Sequence, residues 1–466
     1  MTRKIWLTSV GALLTMFTAI LLQAQQGKIV VDVSKGGDKP AIAIPDMRGS
    51  GVTEVIMNPF NATLWDELNG AGVFKMIPKT SYPVDVPQRP ADFRAPTVST
   101  PARANAPPIT TRNGPWLTDW SAPPAQANYL AFGYTGVQDG RLVLFGWLYN
   151  VTQPDTSTAQ VIGKLYFGPL DAEGGKKVAR EFAADILSQF GAKSLAGTKI
   201  FYVSDRTGSK EIWSMDYDGS NQKRLSFYNS ISSMPAVSPD GKLVAFTTYA
   251  AGNPQIRVHA TDSARRVPFY NPVSSVVETP EFTPDGKQLL FASAIGGWVQ
   301  LCASNIDGSG FRRISNVRAI EVSPKVNPKT GRDLLFISGR SGRQQLWRMT
   351  MEGTDMERLT SNEGDVSNPS WSPNGQMIAF AWTRGYEPGN FNIFVMDIAS
   401  KVPVQLTHGV GRNENPWWAP DGVHLVFASK RGAGTQLYSM RADGTDVKQL
   451  TTQGNNLQPV WSLGVN

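Results

Sequence analysis

The run Pro235-Ala236-Val237-Ser238-Pro239-Asp240-Gly241-Lys242-Leu243-Val244-Ala245-Phe246-Thr247 decides how this chain folds. Two β-patterned runs flank an Asp-Gly step, the strongest short-range hairpin signal. Pro239 pre-sets φ for a turn, and Gly241 takes the positive φ that most residues avoid.

The phrase recurs as Thr283-Pro284-Asp285-Gly286, Ser372-Pro373-Asn374-Gly375 and Ala419-Pro420-Asp421-Gly422. Ser323-Pro324-Lys325 reads as a degenerate copy with a longer turn, and Trp461-Ser462-Leu463-Gly464 as a truncated one. Successive steps are 45, 40, 49, 47 and 43 residues. Each unit continues with a strand ending in Ser or Thr, a third strand such as Glu211-Ile212-Trp213, an acidic-Gly turn such as Asp218-Gly219, and a short strand ending in Arg-Leu or Gln-Leu. A period in the forties with four strands per unit predicts β-propeller blades. Six units are present, the first starting at Lys199-Ile200-Phe201-Tyr202 without a preceding inner strand. The strand from Gln458 to Trp461 has nothing after it, so it is expected to complete the first blade and remove the open edges.

The 466 residues allow two or more domains. Residues 1–24 have a basic start, an apolar run from Ile5 to Leu22, and Ala24 before the chain turns polar. They read as a secretory signal peptide cleaved after Ala24, with an uncleaved anchor as the alternative because Leu22 is larger than the usual residue at that place. The net charge of +7 drops to +5 without Arg3 and Lys4, and no contiguous basic track points to nucleic acid. The single cysteine, Cys302, excludes an intrachain disulfide and reads as a small buried apolar residue.

Residues 25–195 read as an α/β domain and 199–466 as the propeller. Lys28, Ile29, Val30, Val31, Asp32 and Val33 alternate like a strand, and Pro40 to Pro45 forms another. Thr53 to Gly70 is helical, with Leu64, Trp65 and Leu68 on one face and Pro59 expected to break it. From 83 to 124 there are ten prolines and no extended apolar run, which predicts a largely extended insertion pinned to the sheet by Trp116 and Trp120. Three strands follow from Tyr129, then a helix capped by Asp171 and ended by Gly191.

The chemistry of an active site is missing from this reading. His259, His408 and His424 fall in different repeats without metal-ligand spacing. No nucleophile elbow and no phosphate-cradling loop occurs. Asp216-Tyr217-Asp218-Gly219 lacks the remaining acids of a calcium loop and reads as a hairpin turn. No catalytic, cofactor or metal site is therefore assigned.

Binding residues are sought instead where the inner strand of each blade begins, since polar groups there are not needed for packing. These are Glu278, Thr279, Arg318, Ser367, Asn368, Glu414, Asn415 and Asn456. The turns after the second strands carry Arg206, Arg340, Arg384 and Arg431 on the same face. They form either a guanidinium ring that attracts an acidic partner or a set of bridges to acids of neighbouring blades.

An exported α/β domain followed by six such repeats resembles the TolB family, periplasmic components of the Tol–Pal envelope system. The repeats carry the likeness, together with Tyr217-Asp218-Gly219-Ser220-Asn221, the helix-then-strand phrase from Leu64 to Ile77, and the strand beginning Lys28-Ile29-Val30. The proline-rich stretch is longer than the family pattern, and the third turn lacks Asp-Gly. The resemblance implies a periplasmic, non-enzymatic adaptor. It would bind the Pal lipoprotein at the propeller funnel and TolA through Lys28–Val33, with other envelope proteins as further candidates. In that role it maintains outer-membrane integrity and supports constriction in cell division. A monomer without stable membrane insertion after cleavage is expected. Two alternatives stay open: an exported propeller enzyme, a polysaccharide lyase or hydrolase, which predicts convergent acids and a divalent ion in the funnel, and a glycan-binding module, which predicts exposed rim aromatics. The rim reads as mainly Asn, Ser and Glu.

Overall fold

A computed structural model describes residues 39–99, 109–409 and 411–462. The leader and the strand expected at Lys28–Val33 lie outside these residues.

The α/β domain is built on a five-stranded sheet. Strands β1 (Ala41–Ala43), β2 (Lys75–Met76), β5 (Tyr129–Gln138), β6 (Arg141–Asn150) and β7 (Gln160–Gly168) lie in the order β2-β1-β5-β6-β7. The first three pair in parallel, and β5 to β7 form an antiparallel meander. Side chains alternate across β5, so Tyr129 and Ala131 face one side and Leu130 and Phe132 the other. Helices α1 (Met57–Gly70) and α4 (Ala172–Gln189) cover the first side with Phe60, Leu64, Leu68, Phe182 and Ile186 fully buried. Asp171 caps α4 by accepting from the Gly174 N–H at 2.7 Å.

Two expectations change here. Pro59 does not break the helix. A 3-10 turn (Gly51–Ile56) leads straight into α1, and Pro59 sits in the first α turn, where its missing N–H has no intrahelical partner to lose. The proline-rich stretch is not simply extended. It holds a small hairpin of β3 (Thr97–Ser99) and β4 (Ile109–Thr111) and a short helix α2 (Leu117–Ser121). Phe93, Leu117 and Trp120 from it are buried against Leu130, Phe132 and Tyr149, so this stretch covers the second side of the sheet. The helix α3 (Thr156–Ala159) completes the connection into β7.

Six four-stranded antiparallel sheets follow. Blade 1 contains β8 (Lys199–Ser204), β9 (Glu211–Asp216) and β10 (Lys223–Arg224). Blades 2 to 6 span 232–267, 277–313, 321–358, 366–405 and 412–449. The strand Asn456–Trp461 pairs antiparallel with β8 and supplies the inner strand of blade 1, so the ring closes as the repeat count requires.

The turn chemistry is as read: Gly241 has φ +71°, and Ser238 Oγ donates to Asp240 Oδ1 while accepting from the Leu243 N–H at 2.9 Å. Blade 4 is different. Its turn is Asn327-Pro328-Lys329-Thr330-Gly331, with Asn327 Oδ1 accepting from Lys329 N and Thr330 N. Ser323-Pro324 lies four residues earlier, within the inner strand Glu321–Val326. With Asn327 as the anchor the steps become 45, 44, 45, 47 and 43 residues.

Candidate functional site: the channel mouth

The six inner strands converge on the axis, and each carries the same defect. The register with the second strand shifts between Ser233/Ala236, Glu278/Glu281, Val322/Lys325, Ser367/Ser370, Glu414/Trp417 and Leu457/Val460. Each bulge is a residue–proline step. Met234, Thr279, Ser323, Asn368, Asn415 and Gln458 have φ between +50° and +57°, and a buried proline follows every one. Proline has no N–H for the ladder, so it is tolerated inside a strand only at such a break. A non-glycine residue in the left-handed region costs of order 1 kcal/mol, more for β-branched Thr279. Strain repeated six times persists because the ring over-determines it.

Neighbouring bulges interlock. The Met234 N–H donates to Gln458 Oε1 at 2.7 Å, the Ser323 N–H to Thr279 Oγ1 at 3.2 Å, and the Gln458 N–H to Asn415 Oδ1 at 3.3 Å. The six steps line a constriction of about 80 Å³ at the axis. A second chamber of about 160 Å³ lies beyond it, lined by the turn prolines Pro239, Pro284, Pro328, Pro373 and Pro420 and by Trp371, Trp417 and Trp418. Lys325 borders both.

The proposed binding residues divide. Thr279, Asn368 and Asn415 sit in the ring itself, with Glu278, Ser367 and Glu414 one residue before it. The Glu278 carboxyl and the Asn368 amide have no hydrogen-bond or ion-pair partner among the described residues, and the Ser367 hydroxyl is buried without one. Burial pushes the Glu278 carboxyl above the usual carboxylate range. Glu414 is held by Arg412 at 2.7 Å. Arg318 is exposed on the loop before the inner strand of blade 4, and Ser323 takes the ring position instead, a consequence of the four-residue slip in the repeat. Asn456 is fully buried two residues before ring residue Gln458, bonded to Gln436 Oε1 and to Arg206.

The four arginines are folded back onto their own blades. Arg206 lies 4.6 Å over Trp213, Arg340 5.0 Å over Trp347, Arg384 5.1 Å over Trp382 and Arg431 4.2 Å over Tyr438. Arg340 pairs with the fully buried Glu321 of its own inner strand, and Arg384 with Glu363 of the loop leading into its blade. Neither arrangement expected from sequence, an open guanidinium ring or bridges to neighbouring blades, describes them.

The rim holds a feature that the sequence reading missed. Phe227, Ile231, Tyr249, Val273, Trp298 and Ile320 are exposed, and all lie on the loops and strand ends of this face between blades 1 and 4. Among the described residues the rim of blades 5 and 6 exposes no comparable apolar side chain and carries Arg384, Glu363, Arg412, Glu414 and Arg431 instead. The exposed apolar side chains of the funnel mouth are therefore gathered on the arc from blade 1 to blade 4, where Arg318 stands among them.

The remaining reactive residues are structural. His259 is buried between Tyr228 Oη at 2.9 Å and the Leu225 carbonyl at 3.2 Å, and burial lowers its pKa. His424 contacts Asp421 at 2.6 Å. Burial pushes the Cys302 thiol up to about 12. No group of three or more candidate metal ligands occurs among the described residues.

Comparison with known proteins gives a consistent result. The profile of the TolB β-propeller domain matches residues 189–387 and 360–464, more than half of the chain. A TolB homolog from Chlorobaculum tepidum is 34% identical over 154 residues, covering 32% of this chain and 34% of the relative. A Tol-Pal system protein TolB from Roseobacter denitrificans is 28% identical over 268 residues, covering 56% and 54%. The chain thus spans about a third to a half of the length of these curated relatives. The crystal structure of TolB from Acinetobacter baumannii superposes with a TM-score of 0.70 at 20% identity, covering 91% of this chain and 97% of that one, which establishes a shared fold.

Proposed function

Because the chain belongs to the TolB β-propeller family, we propose that it is a periplasmic, non-enzymatic adaptor of a Tol–Pal-type envelope system. In this reading the Pal lipoprotein docks on the funnel mouth. TolA engages the segment Lys28–Val33, and the adaptor serves outer-membrane integrity and envelope constriction during division.

The observation that carries the reading is the ring of six strained residue–proline steps beneath a mouth where Glu278, Ser367 and Asn368 have unspent hydrogen-bonding capacity. A rigid ring presenting such groups is organised before a partner arrives, which limits the ordering cost of binding. Half-buried polar groups without partners gain most when a ligand satisfies them.

The test is a titration of the purified chain with the soluble domain of the Pal protein from the same organism. Glu278→Gln combined with Asn368→Ala is expected to weaken binding by at least about tenfold, in keeping with loss of one or two buried hydrogen bonds. No binding by the folded wild-type chain overturns the reading.

A second reading, glycan binding, is favoured by one observation: Phe227, Tyr249 and Trp298 are exposed on the rim. Peptidoglycan fragments in the same titration decide between the two.

A further inference from the structure

The α/β domain docks on the face of the propeller opposite the funnel, at the turns of blades 1 and 6. The seam is polar. The buried apolar clusters do not merge across it: two are confined to residues 41–192 and six to the propeller, with Leu195 of the linker packed on the cluster of blades 6 and 1. Among the described residues no helix or strand of the α/β domain packs extensively along a propeller strand. A cleft of about 590 Å³ separates the two bodies.

Two arginines span this gap. Arg180 on α4 donates to Asp218 Oδ2 at 2.7 Å and to Tyr217 Oη at 3.1 Å, both on the turn after β9, and lies 3.6 Å from Glu67 on α1. Tyr217 Oη also donates to Glu67. Arg441, at the end of the third strand of blade 6, donates to the Asn69 carbonyl at 2.7 Å and the Gly70 carbonyl at 3.2 Å. A guanidinium there satisfies the open carbonyls of the α1 C-terminus and complements its dipole. Behind the seam the chain passes through Gly191 and Gly197, both at positive φ.

We propose that Glu67, Arg180, Tyr217 and Asp218, with Arg441, form a releasable latch that holds the α/β domain in one orientation and can open without unfolding either body. A shared apolar core would make the orientation an inseparable part of folding. Side-chain contacts around a wet cleft do not, and relative motion is the default for bodies joined in this way. The latch also responds to protons. Burial pushes the Glu67 carboxyl up to about 7 against the pull of Arg180, with Asp218 and Asp66 adding to the rise. Lys176 on α4, Lys193 of the linker, and Asp421, His424, Asp446 and Lys448 of blade 6 also border the cleft. When the seam opens, Glu67 returns to water and to an ordinary carboxylate pKa. The closed seam therefore holds the proton more tightly, and closure weakens as the pH rises through that interval.

Pulsed EPR on the whole chain tests this. Nitroxides placed at Val55→Cys and Val402→Cys, both exposed, report the distance between the bodies, and the buried Cys302 does not interfere. The unaltered seam is expected to give one narrow distance population at pH 5.5 that broadens at pH 8. Arg180→Ala with Arg441→Ala is expected to at least double the width at both pH values and leave the thermal transition of the propeller in place. Tyr217→Phe provides the same readout should the double variant not fold. A width unchanged by pH and by either variant overturns the proposal.

Discussion

Glu281 and Lys325 meet inside the channel across the boundary between blades 3 and 4, Nζ 2.7 Å from Oε2, with 14% of each side chain exposed. Each directly follows a ring proline, so the pair stands immediately beneath the constriction. Lys325 also lies 4.4 Å over Trp417, and its carbonyl accepts from Trp371 Nε1 at 2.9 Å. Removing one charge strands the other. Lys325→Met is expected to cost about 3–5 kcal/mol in urea unfolding, whereas Glu281→Gln with Lys325→Met recovers most of it. A loss below about 1 kcal/mol in the single variant would mean that Glu281 reaches water.

The ring strain has its own signature. Asn tolerates the left-handed region better than any β-branched residue, so Asn368→Val is expected to lose about 2 kcal/mol by chemical denaturation. Asn368→Gly should stay within about 1 kcal/mol of the parent, because relief of strain and the added freedom of the unfolded chain oppose each other. Equal losses in both variants would show that the side chain, not the backbone, is what the site requires.

The apolar side of the rim yields a separation of effects. Trp298→Ser with Phe227→Ser is expected to weaken the interaction with Pal at least about tenfold. Stability should shift by no more than about 0.5 kcal/mol, since both side chains are exposed. Retained affinity would move the docking surface to the opposite side of the mouth, at blades 5 and 6.

Glu67→Gln isolates the proton response of the seam. The variant is neutral at every pH, as the wild-type residue is only well below about 7. Label distances in the two proteins should coincide at pH 5. At pH 8 the variant should be more closed than the wild type, since it avoids placing a buried charge in the seam. Identical distributions at pH 8 would assign the pH response to another group.

Much of the architecture is legible from turn chemistry alone, because a hairpin is a local object. Asp240-Gly241 and its copies fix where strands reverse, and the regular spacing counts the blades. Closure by Asn456–Trp461 follows from the missing inner strand at Lys199. The four-residue slip in blade 4 has an equally physical origin: a residue–proline step occurs twice per unit, once in the bulge and once in the turn. Ser323-Pro324 therefore mimics Ser238-Pro239 when the true turn, Asn327-Pro328, has lost Asp-Gly. That slip carried Arg318 into the site and kept Ser323 out. Asn456 was misread differently, as burial depends on the neighbouring blades. The same holds for the apolar rim: Phe227 and Trp298 have no sequence feature that distinguishes an exposed aromatic in a loop from one folded inward. The arginines pack on aromatics of their own blades, whose positions depend on strand pairing.

The strand that completes blade 1 bonds to a partner about 250 residues earlier in the chain. A ring of this kind cannot be finished as it is made. While the chain emerges in order, β8 waits with an unsatisfied edge until five later blades have formed and the final strand arrives. Assembly is thus gated by the closing strand, and a defect in Trp461 would be felt first as a lengthened period of vulnerability to proteases and to pairing between half-made chains.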